Sequence, residues 1–278
     1  MYFKILVPLD GSTLAELALP VARALAGRFG SDLELATVVT DGGPNTSTTG
    51  PAPYLAAMAE QTESEERSIN WHVLKGDASH GIVDFARSQG FSLIVMATHG
   101  RTGFVRGLLG SVTDQVILNS PIPVLVVNGG SEPVSGIGSE VENVIIPLDG
   151  SELAESALEH GEALAGAFGA DLVLVRVAAT GASSIERGLA QHYLNGISSS
   201  MKAERSPVKR LVPIGDPGKS VIAIGTELPN ALIVMTTRGT SGLKRRMRGS
   251  VADRVVRGTA SPTMVIPPVA AFTGRCLD

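Results

Sequence analysis

At 278 residues, 44% of them hydrophobic, the chain is long enough for two domains that each build a core without a metal or disulfide staple. The net charge of −4 argues against nucleic acid as a partner. The single cysteine, Cys276, excludes an internal disulfide and fits a reducing cytosol. No apolar run reaches the roughly 18 residues of a membrane span, and the opening Lys4-Ile5-Leu6-Val7-Pro8 is too short for a signal peptide. A cytoplasmic protein without membrane contact is expected.

In chain order, residues 5–7 read as a short strand stopped at Pro8. Residues 14–29 read as a helix with Leu14, Ala18, Val21, Ala22 and Leu25 on one face. Residues 33–39 form a second strand, 41–53 a surface loop rich in Gly, Pro, Thr and Asn, and 54–69 a charged amphipathic helix. A third strand (71–74), a helix (82–87), a fourth strand (93–96), a helix (111–118) and a fifth strand (124–127) complete the first half. Residues 131–140, with Pro133, Gly136 and Gly138 and no apolar period, read as a linker. The second half has strands at 144–146, 172–177, 211–214, 232–235 and 264–266, and helices at 153–168, 221–226 and 251–256. Continuous Val/Ile/Leu strands alternating with helices belong to a parallel sheet covered on both faces. Each half is therefore expected to be a doubly wound α/β domain, the first at 1–130 and the second at 141–278.

The two halves are copies. Asp10-Gly11-Ser12 returns as Asp149-Gly150-Ser151, and Gly100, Gly110 and Ser111 return as Gly239, Gly249 and Ser250, always 139 residues on, half of 278. Open parallel sheets bind ligands beyond the carboxyl ends of their strands, where strand order reverses. Two segments per half fit that place. The first, Pro8-Leu9-Asp10-Gly11-Ser12, follows strand one. Its aspartate can accept a hydrogen bond from a ribose hydroxyl; equally, the segment is a turn in which Ser12 caps the next helix. The second follows strand four: Ala97-Thr98-His99-Gly100-Arg101-Thr102-Gly103, running to Gly110-Ser111. Its copy starts at Thr236-Thr237-Arg238-Gly239 and runs to Gly249-Ser250. Glycines let the backbone approach a phosphate, and a helix opening at Gly110-Ser111 offers free N–H groups to an anion. Ser111 with Asp114, and Ser250 with Asp253, also match the capping pattern Ser-x-x-Asp, which predicts a side-chain cap at each.

Arg238, Lys244, Arg245, Arg246 and Arg248 make the second loop more cationic than the first, which has Arg101 and Arg106. Such a loop holds a polyphosphate, docks an acidic partner or nucleic acid, or is a solvated surface. Gly218-Lys219-Ser220 ends like a Walker loop but has Pro213 where that motif needs glycine; it is expected at a turn away from the cleft. His72, His80, His99, His160 and His192 make no metal-spaced pair, so no metal site is assigned. Asp10 and His99 are the conceivable bases, and neither has an identifiable partner, so no catalytic residue is assigned.

These segments resemble the universal stress protein family in its nucleotide-binding branch, whose phosphate signature is Gly-x2-Gly-x9-Gly-Ser/Thr. Gly100-x9-Gly110-Ser111 and Gly239-x9-Gly249-Ser250 match its second and third parts, and residues 93–103 are similar to the family's strand-four signature. The resemblance covers both halves nearly end to end. It implies, in each half, a five-stranded parallel sheet of order 3-2-1-4-5 with a cleft between strands one and four. It implies ATP or a related nucleotide as ligand, with or without Mg²⁺. It also implies fifth strands meeting, 124–127 against 264–266, which would hide two sheet edges, and leaves room for a further homodimer. Carried over to the first half, Pro8, Leu9 and Asp10 lie near adenine and ribose and Val38 on the adenine. Met96, Ala97, His99, Gly100, Arg101, Gly103, Gly110, Ser111, Val112 and Thr113 surround the phosphates and cleft wall. In the second half the matches are Asp149, Val177, Gly239, Gly249 and Ser250. The signature's first glycine is Ala97 in one copy and Thr236 in the other. A left-handed backbone there would penalise both, β-branched Thr more, which makes the first cleft the better nucleotide candidate. The expected function is a regulatory nucleotide-binding module in stress response, at most a weak ATPase. The alternatives are an interaction module that binds no nucleotide and a slow nucleotide hydrolase.

Overall fold

The structure, a computed structural model, describes residues 1–40, 50–62, 68–98, 109–128, 141–201, 208–237 and 249–268. The first half contains β1 (Lys4–Pro8), α1 (Thr13–Glu16), α2 (Ala18–Phe29), β2 (Asp32–Val39), α3 (Pro51–Thr62), β3 (Asn70–Lys75), α4 (Ala78–Ser88), β4 (Leu93–Ala97), α5 (Ser111–Asn119) and β5 (Val124–Val127). The second contains β6 (Asn143–Pro147), α6 (Glu152–Glu155), α7 (Ala157–Phe168), β7 (Asp171–Val175), α8 (Ser184–Ser200), β8 (Val208–Leu211), α9 (Pro217–Glu227), β9 (Ala231–Thr236), α10 (Ser250–Gly258) and β10 (Thr263–Ile266).

The strands form one sheet of ten, in the order β3-β2-β1-β4-β5-β10-β9-β6-β7-β8. Within each half every pairing is parallel and the order is 3-2-1-4-5. At the centre β5 and β10 run antiparallel, with Leu125 opposite Met264. Central strands are apolar along their whole length because helices cover both faces: Ile5, Leu6, Val7, Leu93, Ile94 and Val95 are all fully buried. Among the described residues no helix is long and apolar enough to cross a membrane.

Several elements depart from the sequence reading. The helix expected at 14–29 is two, α1 and α2, separated at Leu17. Helix α3 starts earlier than expected, at Pro51, and Ser68 and Ile69 are not helical. Strand β8 ends at Leu211 where the expectation had it begin. Pro213 has no N–H to give the ladder, so pairing resumes only as an isolated bridge between Ala178 and Ile214. Helix α8 was not anticipated, although Ser183 and Glu186 form a reciprocal capping box at its start. Its apolar signal is diluted: Ile185 and Leu189 face solvent, and only Ala190 and Leu194 are buried.

The halves meet the same packing demands with different residues. On α7, Gly161 lies so close to Ile146 that an added Cβ would overlap the Ile146 Cδ1. The equivalent positions in the first half are Ala22 and Val7, both buried, with one methyl group moved from strand to helix. At the junction of the halves Tyr2, 1% exposed, shares a hydrogen bond of 2.6 Å with His160 Nδ1 and points its hydroxyl at the Met264 sulfur. The equivalent pair is apolar: Val141 and Val21.

Candidate functional site

Each half places a cleft at the carboxyl ends of its strands one and four, where strand order reverses. The rim begins with the turn after strand one. Asp10 Oδ1 accepts hydrogen bonds from the Ser12 N–H (3.0 Å) and hydroxyl (2.6 Å), and Ser12 Oγ accepts from the Ala15 N–H, capping α1. Asp149, Ser151 and Ala154 repeat the pattern at 3.0, 2.6 and 3.1 Å. The turns need left-handed backbone, φ 85° at Gly11 and 88° at Gly150, which only glycine adopts at no steric cost. The turn-and-cap role therefore holds for both aspartate loops, and it presents the aspartates on the cleft walls.

The opposite wall is the start of α5 or α10. Here the expected Ser-x-x-Asp caps do not form. Gly110 and Gly249 are the N-caps, with no side-chain cap bond, and Ser111 and Ser250 are already the first helical residues. The reason is local: the Gly110 carbonyl accepts the first helical bond from Asp114 N–H (2.9 Å), and Gly249 does the same for Asp253 (3.0 Å). The Gly110 N–H donates to the Thr98 carbonyl, and the Gly249 N–H to that of Thr237, tying each helix start to the end of its fourth strand. Helix starts of this kind leave first-turn N–H groups for solvent or an anion.

The first cavity, about 100 Å³, is lined by Pro8, Leu9, Asp10, Val38, Met96, Ala97, Val112 and Thr113, all expected, and by Ala15, Ala78 and Ile82, which were not. Gly110 and Ser111 stand next to it in the chain without lining it. The second cavity, about 330 Å³, is lined by the expected Asp149, Val177, Gly249 and Ser250. Leu148, Arg176, Pro217, Val221, Thr236, Thr237 and Ala252 join them unanticipated. The repeat itself was the signal that could have found three of these, since Leu148, Thr236 and Ala252 are the partners of Leu9, Ala97 and Thr113. Pro217 and Val221 also correct the expected position of Gly218-Lys219-Ser220. Helix α9 opens against the cleft, with its Asp216 N-cap accepting from the Lys219 N–H. His99, Gly100, Arg101, Gly103 and Gly239 lie outside the described residues, as do the cationic loop from Arg238 to Arg248 and Cys276.

Two further expectations change. Ala97 and Thr236 end extended strands, and the one non-glycine residue with positive φ among the described residues is Asn230. Loss of the signature's first glycine therefore carries no left-handed strain in either half. The first cleft, expected to be the better nucleotide candidate, has the smaller cavity, about 100 Å³ against 330 Å³. Ile82 and Thr113 crowd the first, whereas the smaller Val221 and Ala252 widen the second. Thr113 additionally donates to the Ala97 carbonyl (2.9 Å), which holds it against that wall.

A tyrosine braces each cleft from behind. Tyr54 donates to Glu16 (3.0 Å) and Tyr193 to Glu155 (2.7 Å). Burial, then the hydrogen bond to the carboxylate, pushes both phenols up, so both remain protonated donors at neutral pH. Among the described residues no three His, Cys, Asp or Glu side chains gather as a metal site.

The universal stress protein family model matches residues 1–128 and again 140–267. The chain belongs to the universal stress protein family. Universal stress protein MJ0531 of Methanocaldococcus jannaschii is 33% identical over 141 residues, covering 46% of this chain and 82% of that protein. A universal stress protein of Mycolicibacterium smegmatis is 22% identical over 296 residues, covering 96% of this chain and 97% of its own. A universal stress protein structure from Pseudomonas aeruginosa shares the fold across 96% of this chain and 94% of that one, with a TM-score of 0.69 and 18% identity. The tandem arrangement of two universal stress protein domains in one chain is thus matched end to end.

Proposed function

We propose that this tandem universal stress protein is a cytoplasmic binding module that takes ATP or a related adenine nucleotide in its clefts and changes partner contacts in response. The observation that carries the reading is the pair of glycine N-caps, Gly110 and Gly249, each without a side-chain cap, opening nine-residue helices beside the cleft. Glycine caps a helix only a few tenths of a kcal/mol less well than Ser, Asp or Asn, so each helix loses little by leaving its first-turn N–H groups without a side-chain partner. Leaving first-turn N–H groups uncapped suits a phosphate. The cavity of about 330 Å³ in the second half reaches the lower end of the roughly 300–1,000 Å³ typical of small-molecule sites. Asp149 and Val177 would hold ribose and base there, and Gly249 and Ser250 the phosphates. Asp10 and Val38 hold the ribose and base places in the tighter first cleft, with Val112 and Thr113 on its wall. In this reading Mg²⁺ arrives on the nucleotide's phosphates.

Domains 1–130 and 141–278 act as one unit because their fifth strands already pair, so a homodimer of whole chains would use another surface. Turnover is slow in this reading, in which Asp10 and Asp149 hold the turns capped by Ser12 and Ser151. Rates in the common enzyme range of about 1–1000 s⁻¹ would instead mark a hydrolase.

The test is thermal unfolding of the full chain with and without Mg·ATP, beside mass spectrometry of small molecules that co-purify. A ligand at 100 times its Kd stabilises the native state by about 2.7 kcal/mol. The shift is expected in the wild type and reduced in Asp149→Ala. No bound nucleotide and no shift at about millimolar ATP would leave the non-nucleotide interaction module as the reading.

A further inference from the structure

Among the described residues, the second cleft is lined by a cation and the first is not. Arg176 follows β7 and lines the cavity beside Asp149; the equivalent residue in the first half is Thr37, which is buried and does not line the first cavity. The guanidinium lies 4.4 Å from the Tyr193 ring centroid. Tyr193 is itself held by its hydrogen bond to Glu155. The guanidinium also packs against the Gly150 turn, so closely that a Cβ there would sit 2.8 Å from Nη1. Among the described residues Arg176 makes no hydrogen bond or ion pair through its side chain. An aromatic ring and a glycine turn thus fix a planar fork of five donors whose hydrogen bonds the protein leaves unused.

A second polar group in the same cavity is also unspent. Thr237 is 6% exposed, lines the cavity, and has no hydrogen-bond partner for its hydroxyl among the described residues. Buried hydroxyls are nearly always satisfied, so an orphan on a cavity wall points to a ligand atom.

We propose that Arg176 makes the second cleft selective for an adenine nucleotide that carries an additional phosphate on its ribose. The inference rests on the nucleotide reading above. In that reading Asp149 meets the ribose. A ribose with one hydroxyl free and the other phosphorylated satisfies both neighbours at once. The free hydroxyl donates to Asp149, and the phosphate accepts a forked pair of hydrogen bonds from Arg176. The division of labour has a general precedent, since acidic residues recognise a bare ribose and arginines a phosphorylated one. The 5′-phosphate remains at the start of α10, where Gly249 and Ser250 stand. The first cleft has Asp10 with no arginine among its described lining residues and takes the unmodified ribose.

The test is calorimetric titration of the full chain, at one ionic strength, with AMP, adenosine 2′,5′-bisphosphate and adenosine 3′,5′-bisphosphate. Wild type is compared with Arg176→Thr, which installs the first half's residue, and with Arg176→Lys, which keeps the charge but not the fork. One bisphosphate is expected to bind the wild type roughly 10–100-fold more tightly than AMP, the usual size of charge-assisted hydrogen bonds. Arg176→Thr should remove that preference and leave AMP within about twofold, which also shows the variant is folded; Arg176→Lys should fall between. If AMP binds and neither bisphosphate is preferred, or the preference survives Arg176→Thr, the selectivity proposal is overturned and the nucleotide reading stands. If none of the three binds, both fall together.

Discussion

The two clefts share a backbone and differ in their walls. The first is narrowed by Ile82 and by Thr113, whose hydroxyl is tied to the Ala97 carbonyl. The second is widened by Val221 and Ala252 and gains Arg176, braced on Tyr193. What both kept is the turn at Asp10 or Asp149, the glycine that completes it, and the glycine N-cap of the helix opposite. Duplication has thus preserved the parts that set backbone shape and let the side chains that set volume and charge drift apart. Two copies of one cleft need not be two copies of one specificity.

The same logic reaches the packing away from the clefts, where the contrast can be tested at decreasing energies. The largest effect is expected at the junction of the halves. Tyr2→Phe leaves His160 without its 2.6 Å partner and should lower stability by about 1–3 kcal/mol. Burial holds the His160 imidazole below the usual histidine pKa, outweighing nearby Glu159. The unfolded chain therefore takes up its proton first. The stability tied to neutral His160 is complete above about pH 6.5, the unfolded value, and is lost as pH falls through the lower folded value. Melting temperatures at successive pH values should show this decline, and His160→Leu should flatten it. An unchanged slope in His160→Leu would remove the junction from the account.

A smaller effect separates the two helices behind the sheets. Gly161→Ala overpacks Ile146 at about 1–3 kcal/mol, offset by up to about 1 kcal/mol of helix propensity. Ile146→Val alone should cost about 0.5–1.5 kcal/mol. The double variant recreates the Val7–Ala22 pair of the first half, so it should be more stable than the sum of the singles. Urea midpoints that simply add would show that the halves did not exchange this volume. The smallest effect is at the cleft wall. Ile82→Val with Thr113→Ala gives the first cleft the walls of the second, and its nucleotide affinity should rise a few-fold, about 1 kcal/mol. Equal affinity before and after would mean that wall volume does not limit binding there.

Much of this was legible in the sequence, and unevenly so. Continuous apolar strands and the repeat at Asp10 and Asp149 were enough for the domain type, and the glycines of each turn read directly because φ near 85° excludes other residues. The serine-aspartate pairs at Ser111 and Ser250 misled, because their pattern is local while the N-cap was decided one residue earlier by Gly110 and Gly249. Helix α8 was missed because two of its apolar residues, Ile185 and Leu189, face solvent and blur its period. Arg176 could not be read at all. In sequence it is one charged residue after a strand, and its neighbours Gly150 and Tyr193 come from two other elements.

By itself, then, the sequence determined the alternation of strands and helices, helix α8 excepted, where the turns must be glycine, and that one domain type occurs twice. These follow from side-chain periodicity and local sterics, which act within a few residues. Tertiary structure alone decided the antiparallel register of β5 against β10, that Tyr2 reaches His160 across the junction, and that the second cleft is the roomier one with a free cationic fork. Those outcomes depend on side chains far apart in sequence competing for the same space, which no local pattern encodes.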